Sequence, residues 1–296
     1  MTARAARADG ADALLVVRPG PLTTVQDLGR RGVAHLGVPR AGALDEPALR
    51  AANRLLGNDP GAAALETTLG GVAVRALRPL LVAVTGAPCP VRVDGRPAAW
   101  GAPVPVPAGA VLDVGTATAG VRAYLAVAGG IAVPPVLGSR SADLLSGLGP
   151  APLSAGDRLP AGPRPRHRAT PDLVPLPAPP RELVLRLRPG PRADWFTPDS
   201  LARLARDTYR VAPAGNRIGL RTEGPPLVRA RSGELPSEGM VLGAVQVPPD
   251  GLPVVFLADH PTTGGYPVVG VVPPADLAAA AQARPGTPLR FTLRSG

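Results

Sequence analysis

Proline and glycine make up more than a quarter of this 296-residue chain (40 Pro, 36 Gly). They cut it into short runs of valine, leucine and alanine. In composition alone such a load points to disorder. Its placement points elsewhere, because the turn formers bound apolar runs in the pattern of a turn-rich β protein. With 45% hydrophobic residues the chain can bury a core, and with only 3% aromatics that core must be Val, Leu and Ala. The length suits two domains of ordinary size. No apolar run reaches the roughly 20 residues of a membrane span, so no membrane role is expected.

All 32 basic residues are arginine, lysine is absent, and the net charge is +10. The arginines are scattered and aromatic interleaving is nearly absent. That is not the clustered footprint of a nucleic-acid binder, and nucleic acid is not expected as a partner. The missing lysine excludes a Schiff-base nucleophile, a Walker-type phosphate loop and covalently attached biotin. ATP or biotin would have to sit on another chain, or be met by arginines and backbone amides. The single cysteine, Cys89, cannot form an internal disulfide, which makes a cytoplasmic address the default. Met1 to Asp12 is Ala/Arg-rich without an apolar h-region and reads as a frayed tail. His35, His167 and His260 are far apart, so no metal site is expected. No G-x-S-x-G elbow is present, which argues against a hydrolase triad.

A short motif occurs twice. Val17-Arg18-Pro19-Gly20-Pro21 follows one apolar run, and Leu187-Arg188-Pro189-Gly190-Pro191 follows another. This divides the chain into a domain over 13–160, a Pro/Arg-rich linker over 161–180 and a domain over 181–296. In the first half Asp45, Pro47 and Gly57 predict the cap, first turn and stop of a helix. Leu49, Ala52 and Leu56 would face inward, with Arg50, Asn53 and Arg54 on the solvated face. Strands are expected at 72–75, 80–85, 91–93, 111–114 and 122–128. The second half predicts helices near 198–206 and 274–283 and strands at 240–245, 252–257 and 268–272. The whole reads as mainly β, with two barrel-like domains and few short helices.

The densest chemistry lies in Asp259-His260-Pro261-Thr262-Thr263-Gly264-Gly265-Tyr266. Adjacent glycines let backbone amides approach a ligand, and an acid, an imidazole and two threonines surround them. The plain alternative is a solvated hairpin loop. Gly215-Asn216-Arg217-Ile218-Gly219-Leu220-Arg221 places arginine forks, which suit carboxylate or phosphate, beside an amide. Glu238 and Gln246 flank the strand leading toward the glycine-rich loop. In the first half Gln26, Asp27 and Arg30 form a polar turn, and Glu66 follows an apolar stretch, where a carboxylate is often paired or functional.

Taken in order, Gly20-Pro21-Leu22-Thr23-Thr24-Val25-Gln26-Asp27-Leu28-Gly29-Arg30, Ala52-Asn53, Leu56-Gly57-Asn58, Ala64-Leu65-Glu66, Gly138-Ser139-Arg140-Ser141, Asn216-Arg217-Ile218-Gly219 and Thr262-Thr263-Gly264-Gly265-Tyr266-Pro267 resemble the biotin-dependent carboxyltransferase family, also called allophanate hydrolase subunit 2 proteins. The family includes the C-type subunit of bacterial 5-oxoprolinase and the carboxyltransferase region of urea carboxylase. The resemblance implies two cyclophilin-like β-barrel domains. It also implies a role in an ATP-dependent 5-oxoprolinase complex with partners like that enzyme's B-type and A-type subunits. ATP would be a co-substrate of the complex. It leaves open carboxyl transfer to urea or a related amide, with biotin on a separate carrier. It also leaves open a non-catalytic regulator that binds a kinase inhibitor resembling the B-type subunit. For a small amide substrate, Arg217 and the Gly264 and Gly265 amides would stabilise developing negative charge. Gln26, Asn53, Asn216, Gln246, Thr262, Thr263 and Tyr266 would bind and orient the amide. Asp27, Glu66, Glu238 or Asp259 would transfer protons.

Overall fold

The computed structural model describes residues 12–165, 173, 175, 177–233 and 235–293. The N-terminal tail reading, apart from Asp12, and most of the central part of the linker reading lie outside those residues. The chain divides into two compact units. The first takes Met1–Gly29, Glu46–Ala142 and Leu148–Pro177; the second takes Arg30–Asp45, Asp143–Gly147 and Ala178–Gly296. Two segments of the first half's sequence therefore belong to the second unit, which a single cut at a linker does not anticipate.

The first unit is two antiparallel sheets around one core. The five-stranded sheet runs in the order Thr23–Gln26, Ala64–Thr68, Arg122–Val127, Leu80–Gly86, Pro103–Val106. Strand alternation gives it two distinct faces. Val25, Leu65, Leu125 and Val84 align across the strands and enter the Val/Leu/Ala core. On the opposite face Thr24, Glu66, Tyr124 and Thr85 align in the same way. Helix α1 (Glu46–Leu55) packs on strands Leu80–Gly86 and Arg122–Val127, and Thr85 Oγ1 donates to the Ala48 carbonyl at 2.7 Å. Pro47 sits in the first turn and Gly57, at φ +69°, follows the helix end, as the stop signal predicts.

The second unit contains a closed seven-stranded barrel: Leu183–Pro189, Val268–Val271, Ala244–Gln246, Val254–Phe256, Gly219–Glu223, Tyr209–Val211 and Pro288–Leu293. The last strand closes the ring by running parallel to the first. Leu220, Val245, Val255 and Val269 point into the barrel core with Phe291 and Tyr209, whose rings meet edge to face at 5.8 Å. Helix α2 (Pro198–Arg206) starts where Thr197 accepts a hydrogen bond from Ser200 N. Helix α3 spans Pro274–Gln282.

The expected strand over 240–245 is shorter than its apolar pattern. Only Ala244–Gln246 is strand. Gly243 adopts φ +83°, and a Cβ there would lie 2.2 Å from the Val272 carbonyl oxygen, so the chain turns first. The repeated Arg-Pro-Gly-Pro motif has a shared physical basis. A Cβ on Gly20 would lie 1.9 Å from Gly71 O, and one on Gly190 would lie 2.6 Å from Val268 O. In both halves the glycine admits backbone against backbone.

Candidate functional site

The sequence-selected residues fall in both units. In the first, Asp27 is a hub. Its Oδ1 accepts from Gly29 N at 2.8 Å and from Ser139 Oγ and Ser141 Oγ at 2.6 Å each; its Oδ2 accepts from Arg140 N at 2.6 Å. Gln26 donates from Nε2 to Thr24 Oγ1 and to the Ala142 carbonyl, both at 3.0 Å. Glu66 Oε2 accepts from the Tyr124 hydroxyl at 2.7 Å, and both residues are buried. Asn53 corrects the sequence reading, because it is not on a solvated face. It is fully buried, donates to the Ala62 carbonyl at 2.7 Å and accepts from Asn58 Nδ2 at 3.0 Å. It ties α1 to the loop that follows.

In the second unit Arg217 and Asp259 form a buried bidentate pair, Nε to Oδ2 at 3.0 Å and Nη2 to Oδ1 at 2.9 Å, with side chains 1% and 0% exposed. The same guanidinium donates to the Gly42 carbonyl at 2.7 Å, and Asp259 Oδ2 accepts from Leu144 N at 3.2 Å. Ala41 N donates to the Ala258 carbonyl at 3.0 Å. The pair thus fastens segments 30–45 and 143–147 to the turn before strand Gly219–Glu223 and the turn after strand Val254–Phe256. Burial pushes the Asp259 carboxyl up, against the opposing pull of Arg217.

The loop leaving Asp259 is ordered by its own contacts. His260 stacks on Phe256 at 5.9 Å, and its Nδ1 lies 2.7 Å from the Pro261 carbonyl, which assigns the proton to Nδ1. Burial holds its pKa below the ordinary value. Thr263 and Gly264 form a two-residue ladder with Gly239 and Glu238. Glu238 is ion-paired with Arg192, whose Nε reaches Oε2 at 3.1 Å; that hydrogen bond lowers the Glu238 pKa. Thr262 and Gly265 are half-buried, and Thr263 and Tyr266 are exposed.

Three neighbouring barrel strands turn their non-core face toward a cleft of about 190 Å³ lined by Asn216, Ile218, Gly219, Arg221, Gln246, Pro248, Val254, Phe256 and Tyr266. Gln246, Val254 and Arg221 stand in one row across these strands. Gln246 Nε2 donates to the Tyr266 carbonyl at 3.2 Å, which leaves Oε1 as the acceptor. Asn216 Oδ1 accepts from Ile218 N at 2.9 Å and Gly219 N at 3.2 Å, which leaves Nδ2 as the donor. Arg221 is exposed and has no acidic partner among the described residues.

The structure therefore brings Asn216, Gln246 and Tyr266 together, and joins Arg217 to Asp259 in a clamp. Sequence reasoning selects Arg217 over Arg221 and passes over Phe256 and Ile218. Strand alternation after Gly219 is the signal that places Arg221 on the same face as the glycine, away from Leu220.

A family model described as carboxyltransferase domain, subdomain A and B, matches residues 36–293. The chain is 41% identical to the C-type subunit of Escherichia coli 5-oxoprolinase over 94% of its own length and 90% of that protein. Among solved structures it is similar to TTHA0988 (TM-score 0.87, 40% identity), covering 97% of this chain and 57% of that one. It is also similar to the urea carboxylase of Kluyveromyces lactis (TM-score 0.88, 30% identity), covering 98% of this chain and 28% of that one. Among the described residues no helix is long and apolar enough to cross a membrane.

Proposed function

Because this chain belongs to the carboxyltransferase family of subdomains A and B, we propose that it is the C-type subunit of an ATP-dependent 5-oxoprolinase, which opens 5-oxoproline to glutamate. The observation that carries this reading is the near end-to-end match, in both chains, to the C-type subunit of such an enzyme. The urea carboxylase likeness covers only a fraction of that larger protein.

A lactam resists water because its nitrogen lone pair is delocalised into the carbonyl. Phosphorylation of the amide oxygen by ATP removes that resistance, and water then opens the ring. In this reading the chain acts with a B-type partner in activation, and an A-type partner completes ring opening. The cleft is smaller than the 300–1,000 Å³ of drug-sized sites, which suits one small ring and leaves the nucleotide to other surfaces. Gln246 and Asn216 orient the amide. The Arg217–Asp259 pair holds the Asp259–Tyr266 loop in place.

The test is glutamate release from 5-oxoproline and ATP by this chain with its A- and B-type partners, omitting each protein in turn. Turnover is expected only when this chain is present, and indifference to its omission would end the reading. The likeness to urea carboxylase favours a second reading, carboxyl transfer from a biotin carrier to urea or a related amide. That reading requires turnover to depend on the carrier.

A further inference from the structure

We infer that Arg221 is the specificity-determining residue of the cleft: it reads a free carboxylate on the ligand and so separates a lactam acid from a neutral amide such as urea. This deepens the proposed function and rests on it for the identity of the substrate.

The inference comes from which polar atoms the protein leaves available. Gln246 Nε2 is held by the Tyr266 carbonyl, and a Cβ on Gly264 would lie 2.7 Å from that nitrogen. The glycine therefore makes room for the amide in this orientation, and Oε1 accepts. Asn216 Oδ1 is held by two backbone N–H groups, so Nδ2 donates. A ligand that satisfies both carries a donor and an acceptor, which an amide supplies with its N–H and carbonyl. Urea meets that requirement as well as a lactam does. Tyr266, whose hydroxyl can donate or accept, also lines the cleft and favours neither ligand, so the charged group breaks the tie. Among the described residues Arg221 is the only charged one lining the cleft, and it shares a cross-strand row with Gln246 through Val254. No side-chain partner neutralises it among the described residues. An arginine fork matches a carboxylate through two parallel hydrogen bonds. The walls between these groups are apolar, from Ile218, Val254, Pro248 and Phe256, which suits the methylenes of a ring and gives urea nothing to fill.

The test compares 5-oxoproline with 2-pyrrolidinone, the same ring without the carboxylate. Binding of each is measured by calorimetry to the full chain, alone and in complex with its A- and B-type partners, for the wild type, Arg221→Gln and Arg221→Lys. Hydrogen bonds to charged groups are the stronger ones, so Arg221→Gln is expected to weaken 5-oxoproline by about tenfold or more and leave 2-pyrrolidinone unchanged. Arg221→Lys, which keeps charge without the fork, is expected to fall between. Equal loss for both ligands, or none for 5-oxoproline, overturns the inference. Turnover of the wild-type complex is read separately. Glutamate release with Arg221-independent binding retains the functional reading and removes this one. Arg221-dependent binding of the acid without any ATP-dependent release retains the carboxylate reader and removes the oxoprolinase reading.

Discussion

The two units treat their polar side chains differently. In the first, Asp27 and Asn53 spend their polar atoms on the protein itself: Asp27 accepts from two serines and two backbone amides, and Asn53 donates to one loop and accepts from Asn58. In the second, Gln246 and Asn216 line a cleft, and each commits one end to backbone and keeps the other without a protein partner among the described residues. A fully partnered polar group fixes a chain path. A half-partnered one, held rigidly by its other end, is preorganised for a ligand. Counting partners separates Asp27 and Asn53 from Gln246 and Asn216, and by the same count Gln26 in the first unit, whose buried Oε1 has no partner among the described residues, falls with the half-partnered set.

The Arg217–Asp259 clamp gives the largest expected effect, because it places a fully partnered pair inside the unit that also holds the cleft. Arg217→Met leaves a buried carboxylate without its cation and is expected to cost about 3–5 kcal/mol in urea unfolding. The double variant Arg217→Met, Asp259→Leu is expected to recover most of that, since breaking a buried pair costs more than replacing it. A single variant within about 1 kcal/mol of the wild type would mean that the clamp does not hold the 30–45 and 143–147 segments.

Asp27→Ala comes next. It strips the acceptor from two serine hydroxyls and two amides, and is expected to cost about 2–4 kcal/mol. Gln246→Ala is expected to cost about 1 kcal/mol in stability while weakening amide binding by about tenfold. Reversed rankings, with Gln246 the larger loss in stability, would break the contrast between the units. Gly264→Ala is a finer probe. Its new Cβ would meet Gln246 Nε2 at 2.7 Å and turn the amide, so binding should fall several-fold with a smaller change in unfolding midpoint. Unchanged binding would show that the Gln246 orientation does not matter.

Much of the fold was legible in local signals. The helix expected near 198–206 is α2, Gly57 marks the end of α1, and the short runs expected as strands at 80–85, 91–93 and 111–114 are strands. What failed was what depends on distant partners. Asn53 lies on the polar side of α1 by spacing, yet the loop folding back over it encloses it. Gly243 sits inside an apolar run, and only the carbonyl of Val272 explains the turn there. Arg217 and Arg221 are both arginines beside glycine. Their separation into clamp and cleft rests on Asp259 and on Gly42, which is 175 residues from Arg217. No pattern of local spacing carries that information. The allocation of 30–45 and 143–147 to the second unit is hidden for the same reason.

The smallest expected effect tests whether the loop that carries the glycines is held by packing as firmly as by the clamp. His260 is buried against Phe256, with Asp259, Asp143 and Arg40 as its charged neighbours. Burial sets its folded-state pKa below the ordinary value of 6.5, with Arg40 acting in the same direction and the two carboxylates opposing. The unfolded chain therefore takes up the proton first as pH falls. The imidazole's contribution is complete above 6.5 and is lost as pH drops from there through the depressed folded value, with a slope of at most about 1.4 kcal/mol per pH unit. His260→Gln keeps a polar planar group and removes the titration. Subtracting its unfolding free energy from that of the wild type, from about pH 8 to about pH 5, cancels every other titrating group the two proteins share. The difference is expected to decline toward acid below pH 6.5. A flat difference would mean that the imidazole titrates as it does in the unfolded chain, leaving the Arg217–Asp259 pair as the loop's anchor without help from the stacked ring.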